Sequence, residues 1–292
     1  MKLLITGGSG FIGRNLAEYF APRYEVSAPS SSYLNLLDAP AVRKYLCTNR
    51  FDVVVHAATT RSNRRLAAPP DLLDRNCRMF FNLVRNDGLF GRMIHFGSGA
   101  EYDRADLPVR VREDYFDTSV PSDPYGFSKY ICAKHIARSD RIVDLRLFGV
   151  FGKYEDHTVR FITNACCRAI KGMPIVIRQD VVFDYLYVND LAKITDWFVN
   201  HEPHYKAYNV CSGAGVALTK LADIIAEVSG RNPEVIVRTS GMAPEYTADN
   251  ALLLNEIGRC VFSKLPACMT ELYKWYAEQE PDLDCESLRF DE

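Results

Sequence analysis

A short apolar run, Met1-Lys2-Leu3-Leu4-Ile5, enters Thr6-Gly7-Gly8-Ser9-Gly10-Phe11-Ile12-Gly13, and an amphipathic stretch follows it to Phe20. That opening constrains the fold more than any other segment, because a strand must turn through glycines into a helix. Gly7, Gly10 and Gly13 have separable uses. One permits a tight turn, a second lets the backbone approach a pyrophosphate, and a third lets the helix pack on the strand. The helix expected over Ile12–Phe20 aims its N-terminal amides and dipole at the phosphates. The spacing reads as a dinucleotide-binding loop, with Phe11, Ile12 and Arg14 beside it. A glycine turn in a purely structural strand–helix unit has the same look.

A chain of 292 residues can bury one large core or two unequal ones. The net charge is −2 and no long basic block occurs, which argues against nucleic acid or an anionic membrane as partner. No run of about 18 apolar residues is present, and glycines end the first apolar run too early for a signal peptide. The nine cysteines include one vicinal pair, Cys166-Cys167, and no C-x-x-C, so neither a metal site nor a disulfide framework is expected. These features together give an expectation of a reducing, cytoplasmic location.

Branched, turn-flanked runs at Tyr24–Ala28, Val53–His56, Met93–Phe96 and Ile142–Phe148 read as buried strands. Helical spacing separates them at Ala39–Leu46, Leu72–Val84 and Tyr125–Arg138. Repeated strand–helix units imply an α/β fold: a Rossmann-like, doubly wound parallel sheet that binds ligands beyond its strands' carboxyl ends. After Gly152 come a helix near Val159–Lys171, strands Ile175–Ile177 and Tyr185–Val188, and a helix Leu191–Val199. Strand Ala207–Val210, helix Leu218–Val228 and strand Val235–Arg238 follow. Residues 1–152 are therefore expected to form the dinucleotide-binding domain, with segments at about 175–212 interleaved. Residues 153–292 are expected to form mainly a smaller α/β substrate lobe, and the acidic tail after Gln279 is expected to be solvated.

Tyr125-Gly126-Phe127-Ser128-Lys129 sets a tyrosine and a lysine on one helix face. A free phenol with a pKa near about 10 is a poor acid–base catalyst at neutral pH, and a neighbouring ammonium draws it towards the working range. Taken alone, the pair reads as a solvated helix face. Ser98, at the expected carboxyl end of a buried strand, and His56-Ala57-Ala58, ending another with small residues, supply the companions a cofactor site needs.

With these motifs in order, the chain resembles the extended short-chain dehydrogenase/reductase family of nucleotide-sugar epimerases, dehydratases and reductases. The match continues through Leu145-Arg146-Leu147-Phe148-Gly149-Val150-Phe151-Gly152, then Asp184-Tyr185-Leu186-Tyr187-Val188-Asn189-Asp190 and Tyr208-Asn209-Val210-Cys211-Ser212-Gly213. The resemblance implies that Tyr125 is the acid–base for a sugar oxygen. It implies also that Lys129 poises Tyr125 and holds the nicotinamide ribose, and that Ser98 hydrogen-bonds the same sugar oxygen. Asn76 matches a position close to the active site, or is a helix cap. Members of the family often pair through two helices per subunit, so a homodimer is a further implication.

Family dehydratases carry an Asp-Glu pair where this chain has Gly99 and Ala100, so 4,6-dehydration is not expected. Relatives that epimerise C3 and C5 use a Cys at Ala100 and a downstream His; His157 falls near the latter, as a substrate contact or a plain loop residue. Family members that prefer NAD usually end the second strand in an acid, but Val26-Ser27-Ala28-Pro29-Ser30-Ser31-Ser32 has none. Ser30, with Arg14 as a cationic partner, favours NADP; NAD remains the alternative. Asp38 is an adenine-side candidate or a helix cap. A nucleotide-diphosphate sugar needs cationic donors. Arg238 is the first candidate, and Arg178 or Arg160 replaces the family arginine whose place Phe183 takes. The reading is NAD(P)H-dependent reduction of a nucleotide-linked 4-keto-6-deoxy sugar at C4. A 4-epimerase with tightly bound NAD is the enzymatic alternative, and a dinucleotide-binding redox sensor or scaffold the non-enzymatic one.

Overall fold

The computed structural model describes residues 1–60, 69–258 and 261–289. Strand β1 (Lys2–Thr6) passes through the glycine loop into α1 (Phe11–Phe20), then β2 (Glu25–Ser27), α2 (Ala39–Asn49) and β3 (Phe51–His56). The alternation continues with α3 (Leu72–Val84), β4 (Phe90–Ser98), α4 (Pro124–Ile136) and β5 (Ile142–Leu147). Next come β6 (Gly149–Phe151), α5 (Phe161–Ile170), β7 (Ile175–Asp180), β8 (Val182–Tyr187), α6 (Val188–Asn200) and β9 (Ala207–Val210). The chain closes with β10 (Gly215–Ala217), α7 (Leu218–Ser229), β11 (Val235–Met242), α8 (Ala251–Ile257), α9 (Leu265–Ala277) and α10 (Cys285–Leu288).

Six parallel strands form the central sheet in the order β2-β1-β3-β4-β5-β9. The chain runs outward from β1 to β2 and returns on the other side of β1 at β3. That reversal is a topological switch point, and the glycine loop lies at its mouth. Side chains alternate across the sheet as strand geometry requires. Leu3, Ile5, Val53, Val55, Ile94 and Phe96 pack towards Leu16 and Phe20 of α1 and Leu191, Ile194 and Phe198 of α6. Leu4, Val54 and Met93 face Val42 and Leu46 of α2, Phe80 and Leu83 of α3, and Cys132 and Ile136 of α4. Both faces are covered, so a buried parallel sheet results. A three-stranded sheet (β10-β8-β6) and a two-stranded one (β11-β7) complete the fold.

Three expectations need correction. The apolar run over Ile142–Phe148 splits: β5 stops at Leu147, and Gly149 begins β6 in a different sheet beside β8. Helices α8 and α9 lie where no element was expected, and α9 buries Cys268, Met269, Leu272 and Tyr276 along one stripe. The segment after Gln279 is docked rather than solvated as far as Arg289. Leu283 and Leu288 are buried, and the buried guanidinium of Arg168 donates to the Leu288 carbonyl from Nε at 3.1 Å and Nη2 at 2.6 Å. Its acidic side chains face out while two leucines face in. Among the described residues no helix is long and apolar enough to cross a membrane.

Candidate active site

Gly7 adopts φ +72°, and a β-carbon there would lie 2.8 Å from the Ala58 backbone. A β-carbon on Gly13 would lie 2.2 Å from the Gly7 carbonyl oxygen. The loop therefore packs against the end of β3 and under the start of α1 with no room for a side chain. Gly10 is the N-cap of α1; no side-chain hydrogen bond caps the helix there and its first turn holds no acid. An anion is the natural complement of such an end. Phe11 and Ile12 pack on the core, and Asn15 Nδ2 donates to both the Phe11 and Lys153 carbonyls, at 2.8 and 2.9 Å, fixing the helix entry.

At the end of β3, His56 is buried and its Nδ1 lies 2.7 Å from Thr6 Oγ1. Burial first, and then the Lys129 charge, push the imidazole down to about 3, so it is neutral at physiological pH. The Ala57 and Ala58 amides donate to the Thr6 carbonyl (3.3 Å) and hydroxyl (3.4 Å), which joins the ends of β1 and β3 at the switch point.

Ser98 ends β4 and caps the following turn. Its Oγ accepts from the Ala100 amide at 3.1 Å, and its own amide donates to Glu101 Oε1 at 2.9 Å. Tyr125 stands in the first turn of α4, which Asp123 caps by accepting from the Tyr125 and Gly126 amides at 3.1 and 2.9 Å. One turn on, Lys129 is buried, and its Nζ donates to the Phe96 carbonyl at 2.6 Å. Two of its three protons remain to be directed elsewhere. Asn76 lies inside α3, not at its cap. It binds the Thr60 amide (2.7 Å) and carbonyl (3.1 Å) and donates to Ser128 Oγ at 3.2 Å, tying the loop after β3 to α4.

Two side chains join this group that the sequence did not single out. Tyr246 is walled by Phe148 and Phe183, with ring centroids 5.0 and 5.5 Å away, and its hydroxyl lies 2.4 Å from where a Gly99 β-carbon would stand. Burial raises the pKa of its phenol, and Arg104, Tyr125 and Ser98 are among the groups that act on it. Arg104 lies 5.1 Å from the centre of the Tyr246 ring, within the electrostatic field of Tyr125 and Asp123.

Several expected residues have other partners. Arg14 stacks its guanidinium 3.7 Å over the Tyr154 ring and pairs with Glu18 at 3.5 Å. Ser30 and Ser32 join hydroxyls at 2.8 Å, and no acid ends β2. Asp38 is the N-cap of α2, accepting from the Ala41 amide at 3.0 Å. His157 packs edge-on to Tyr276 of α9 at 5.8 Å, and Arg160 is the exposed N-cap residue of α5. Arg178 and Arg238, by contrast, come together. The β7–β11 register pairs Ile177 with Val237 and Gln179 with Thr239, so the two exposed arginines stand level on one face of the two-stranded sheet. Like charges at adjacent positions repel, and among the described residues neither has a carboxylate partner.

A glycine cradle, an uncapped helix end at a switch point and a buried lysine beside them fit a dinucleotide, and together define a doubly wound, dinucleotide-binding protein. The chain belongs to the NAD dependent epimerase/dehydratase family, whose profile matches residues 3–211. It is 25% identical over 302 residues to GDP-6-deoxy-D-talose 4-dehydrogenase of Aggregatibacter actinomycetemcomitans, covering 94% of this chain and 97% of that protein. The fold matches UDP-glucose 4-epimerase of Thermotoga maritima, solved with UDP-glucose (TM-score 0.82, 18% identity, 96% of this chain and 99% of that one). It likewise matches RMD of Pseudomonas aeruginosa, solved with NADPH (TM-score 0.81, 21% identity, 95% and 98%).

Proposed function

We propose that the protein is a cytoplasmic, NADP(H)-dependent reductase of a nucleotide-linked 4-keto-6-deoxy sugar, acting at C4. The observation that carries this reading is that Ser98, Tyr125 and Lys129 gather beside the switch point, while Gly99 and Ala100 offer no acid–base pair for dehydration. Reduced nicotinamide supplies a hydride when bound. Tyr125 gives a proton to O4, and Lys129 beneath it favours the phenolate that remains. Ser98, whose oxygen already accepts from the Ala100 amide, turns its proton outward to hold the same sugar oxygen. The Aggregatibacter relative's name places its chemistry at C4 of a GDP-linked 6-deoxy sugar, which supports hydride transfer at that carbon. The acid-free end of β2 and the NADPH in the Pseudomonas structure support NADP over NAD.

The Arg178–Arg238 pair is the best candidate grip for the substrate diphosphate, since a bridging anion relieves its repulsion. Alanine at either position should raise KM for the sugar nucleotide about tenfold, and the double variant should add little to the single ones. KM values that do not move would remove the pair from the substrate site. Ser30→Asp should shift the ratio of kcat/KM for NADPH over NADH by about tenfold towards NADH. An unchanged ratio would take Ser30 out of the cofactor account.

The deciding assay mixes the protein with NADPH and a panel of nucleotide-linked 4-keto-6-deoxy sugars and follows loss of reduced cofactor. Consumption with one of them is expected. Consumption with none, together with C4 inversion of an ordinary sugar nucleotide, would replace this reading with 4-epimerisation.

A further inference from the structure

Behind Ser98 lies a buried charge cluster to which the reaction above gives no task. Glu101 is fully buried; Oε1 accepts the Ser98 amide at 2.9 Å and Oε2 receives Arg146 Nε at 2.7 Å. Arg146 continues through Nη1 to the Tyr102 hydroxyl at 2.8 Å, which donates to Asn209 Oδ1 at 2.8 Å. Asp144 is also buried, two residues before Arg146 on β5 and so on the same face of the sheet. Its Oδ2 is 3.6 Å from Arg146 Nε, and neither of its oxygens has a hydrogen-bond partner among the described residues. Lys129 and Cys132 of α4 face it as well, and His95 is its register partner on β4.

The two carboxyl groups are close. A β-carbon on Gly97 would lie 2.2 Å from Glu101 Oε1 and 2.3 Å from Asp144 Oδ1, so those oxygens are no more than about 4.5 Å apart. Two carboxylates around one bonded guanidinium would leave a buried negative charge without a donor. A proton on Asp144 removes the charge and supplies a donor for the free lone pair on Glu101.

We propose that Glu101 and Asp144 hold one proton between them, and that this pair, tied down by Arg146, is the positioning device for Ser98. The positioning half rests on Ser98 being a substrate contact; the shared proton does not. Burial and the field of Glu101 hold the Asp144 carboxyl well above the usual carboxylate range, which agrees with a proton retained at neutral pH. The unfolded chain loses that proton near the ordinary aspartate pKa. Folding therefore takes up a proton at neutral pH, and stability falls as pH rises above about 4 until the raised folded pKa is passed.

The test begins on the wild-type protein. Its infrared spectrum at pH 7 should show the carbonyl stretch of a protonated carboxyl, absent from the carboxylate bands, and Asp144→Asn should lack it. The Tm advantage of Asp144→Asn over wild type should widen between about pH 5 and pH 8, because asparagine has no proton to take up. Glu101→Gln, which keeps an acceptor for the Ser98 amide but loses the bond to Arg146, should lower kcat about tenfold with KM and NADPH Kd within about twofold. A wild type without the band, or Tm curves that stay parallel, overturns the shared proton. Wild-type kcat in Glu101→Gln overturns the positioning role. A protein that shows the band but turns over no sugar nucleotide overturns the functional reading and leaves the shared proton standing.

Discussion

Phenylalanine at position 125 is expected to lower kcat by about a thousandfold while leaving the Kd for NADPH within about twofold. Positioned proton transfer contributes about 10²–10⁴ in rate, and a reductase without its proton donor must leave a developing alkoxide uncovered. The substitution removes one oxygen from a partly exposed ring in the first turn of α4, a helix still capped by Asp123 and still carrying Lys129 at its buried face. Cofactor affinity is therefore the control. Fluorescence titration with NADPH beside steady-state kinetics separates the two, and a fall in kcat of less than about tenfold would remove Tyr125 as donor.

Gly13→Ala is expected to weaken NADPH binding by about a hundredfold and to lower Tm as well. The added carbon would stand 2.2 Å from the Gly7 carbonyl oxygen and 2.7 Å from its carbon, both backbone atoms that cannot turn aside. Either α1 lifts from the loop or the loop opens. Overpacking of this kind costs about 1–3 kcal/mol, and it falls on the geometry that aims the α1 amides. Gly10→Ala is the control for stability, not for affinity, because its nearest neighbour is the Gly7 oxygen at 3.3 Å. An equal fall in Tm from both substitutions, measured by calorimetry, would mean that the cradle is not set by close packing under α1.

Much of this was legible in the chain because buried βα units write themselves strongly. Helix Leu72–Val84 and strand Ala207–Val210 have the same limits in sequence and structure. The glycine loop, Ser98 and the Tyr125–Lys129 pair were legible for the same reason, each being local in sequence and fixed to the end of one element. Other features depended on which distant segments meet. Tyr246 is 148 residues from Ser98, and only the β8 neighbourhood, where Tyr246 and Val182 share a 2.9 Å backbone bond, brings it home. The docked tail depends on Arg168 burying its guanidinium against a carbonyl 120 residues away. Some signals were local all the same. Ser98-Gly99-Ala100-Glu101 has the S-x-x-E form of a capping box, and the structure shows that box closed. Cys268, Met269, Leu272 and Tyr276 carry the spacing of a helical stripe, which α9 buries, with Leu265 partly buried against the same core.

The arginines show how topology sorts candidates. The sequence puts Arg238 first and leaves Arg178 and Arg160 as alternatives for a second cation. Pairing of β7 with β11 puts two of them side by side and leaves Arg160 at the start of α5. Phe183, in turn, is occupied with packing against Tyr185 and Tyr246, at ring distances of 5.7 and 5.5 Å. Aromatic rings thus occupy the place of Phe183, and under the proposed function the cations for the diphosphate come instead from β7 and β11.

The most direct measurement is a crystal structure of the complex with NADP and a nucleotide-linked 6-deoxy sugar. The account predicts Tyr125 Oη and Ser98 Oγ both within hydrogen-bond distance of the sugar O4, with the nicotinamide C4 about 3–3.5 Å from the sugar C4. A complex with the sugar bound elsewhere, or with the Tyr125 oxygen turned to solvent and away from the nicotinamide, would contradict it.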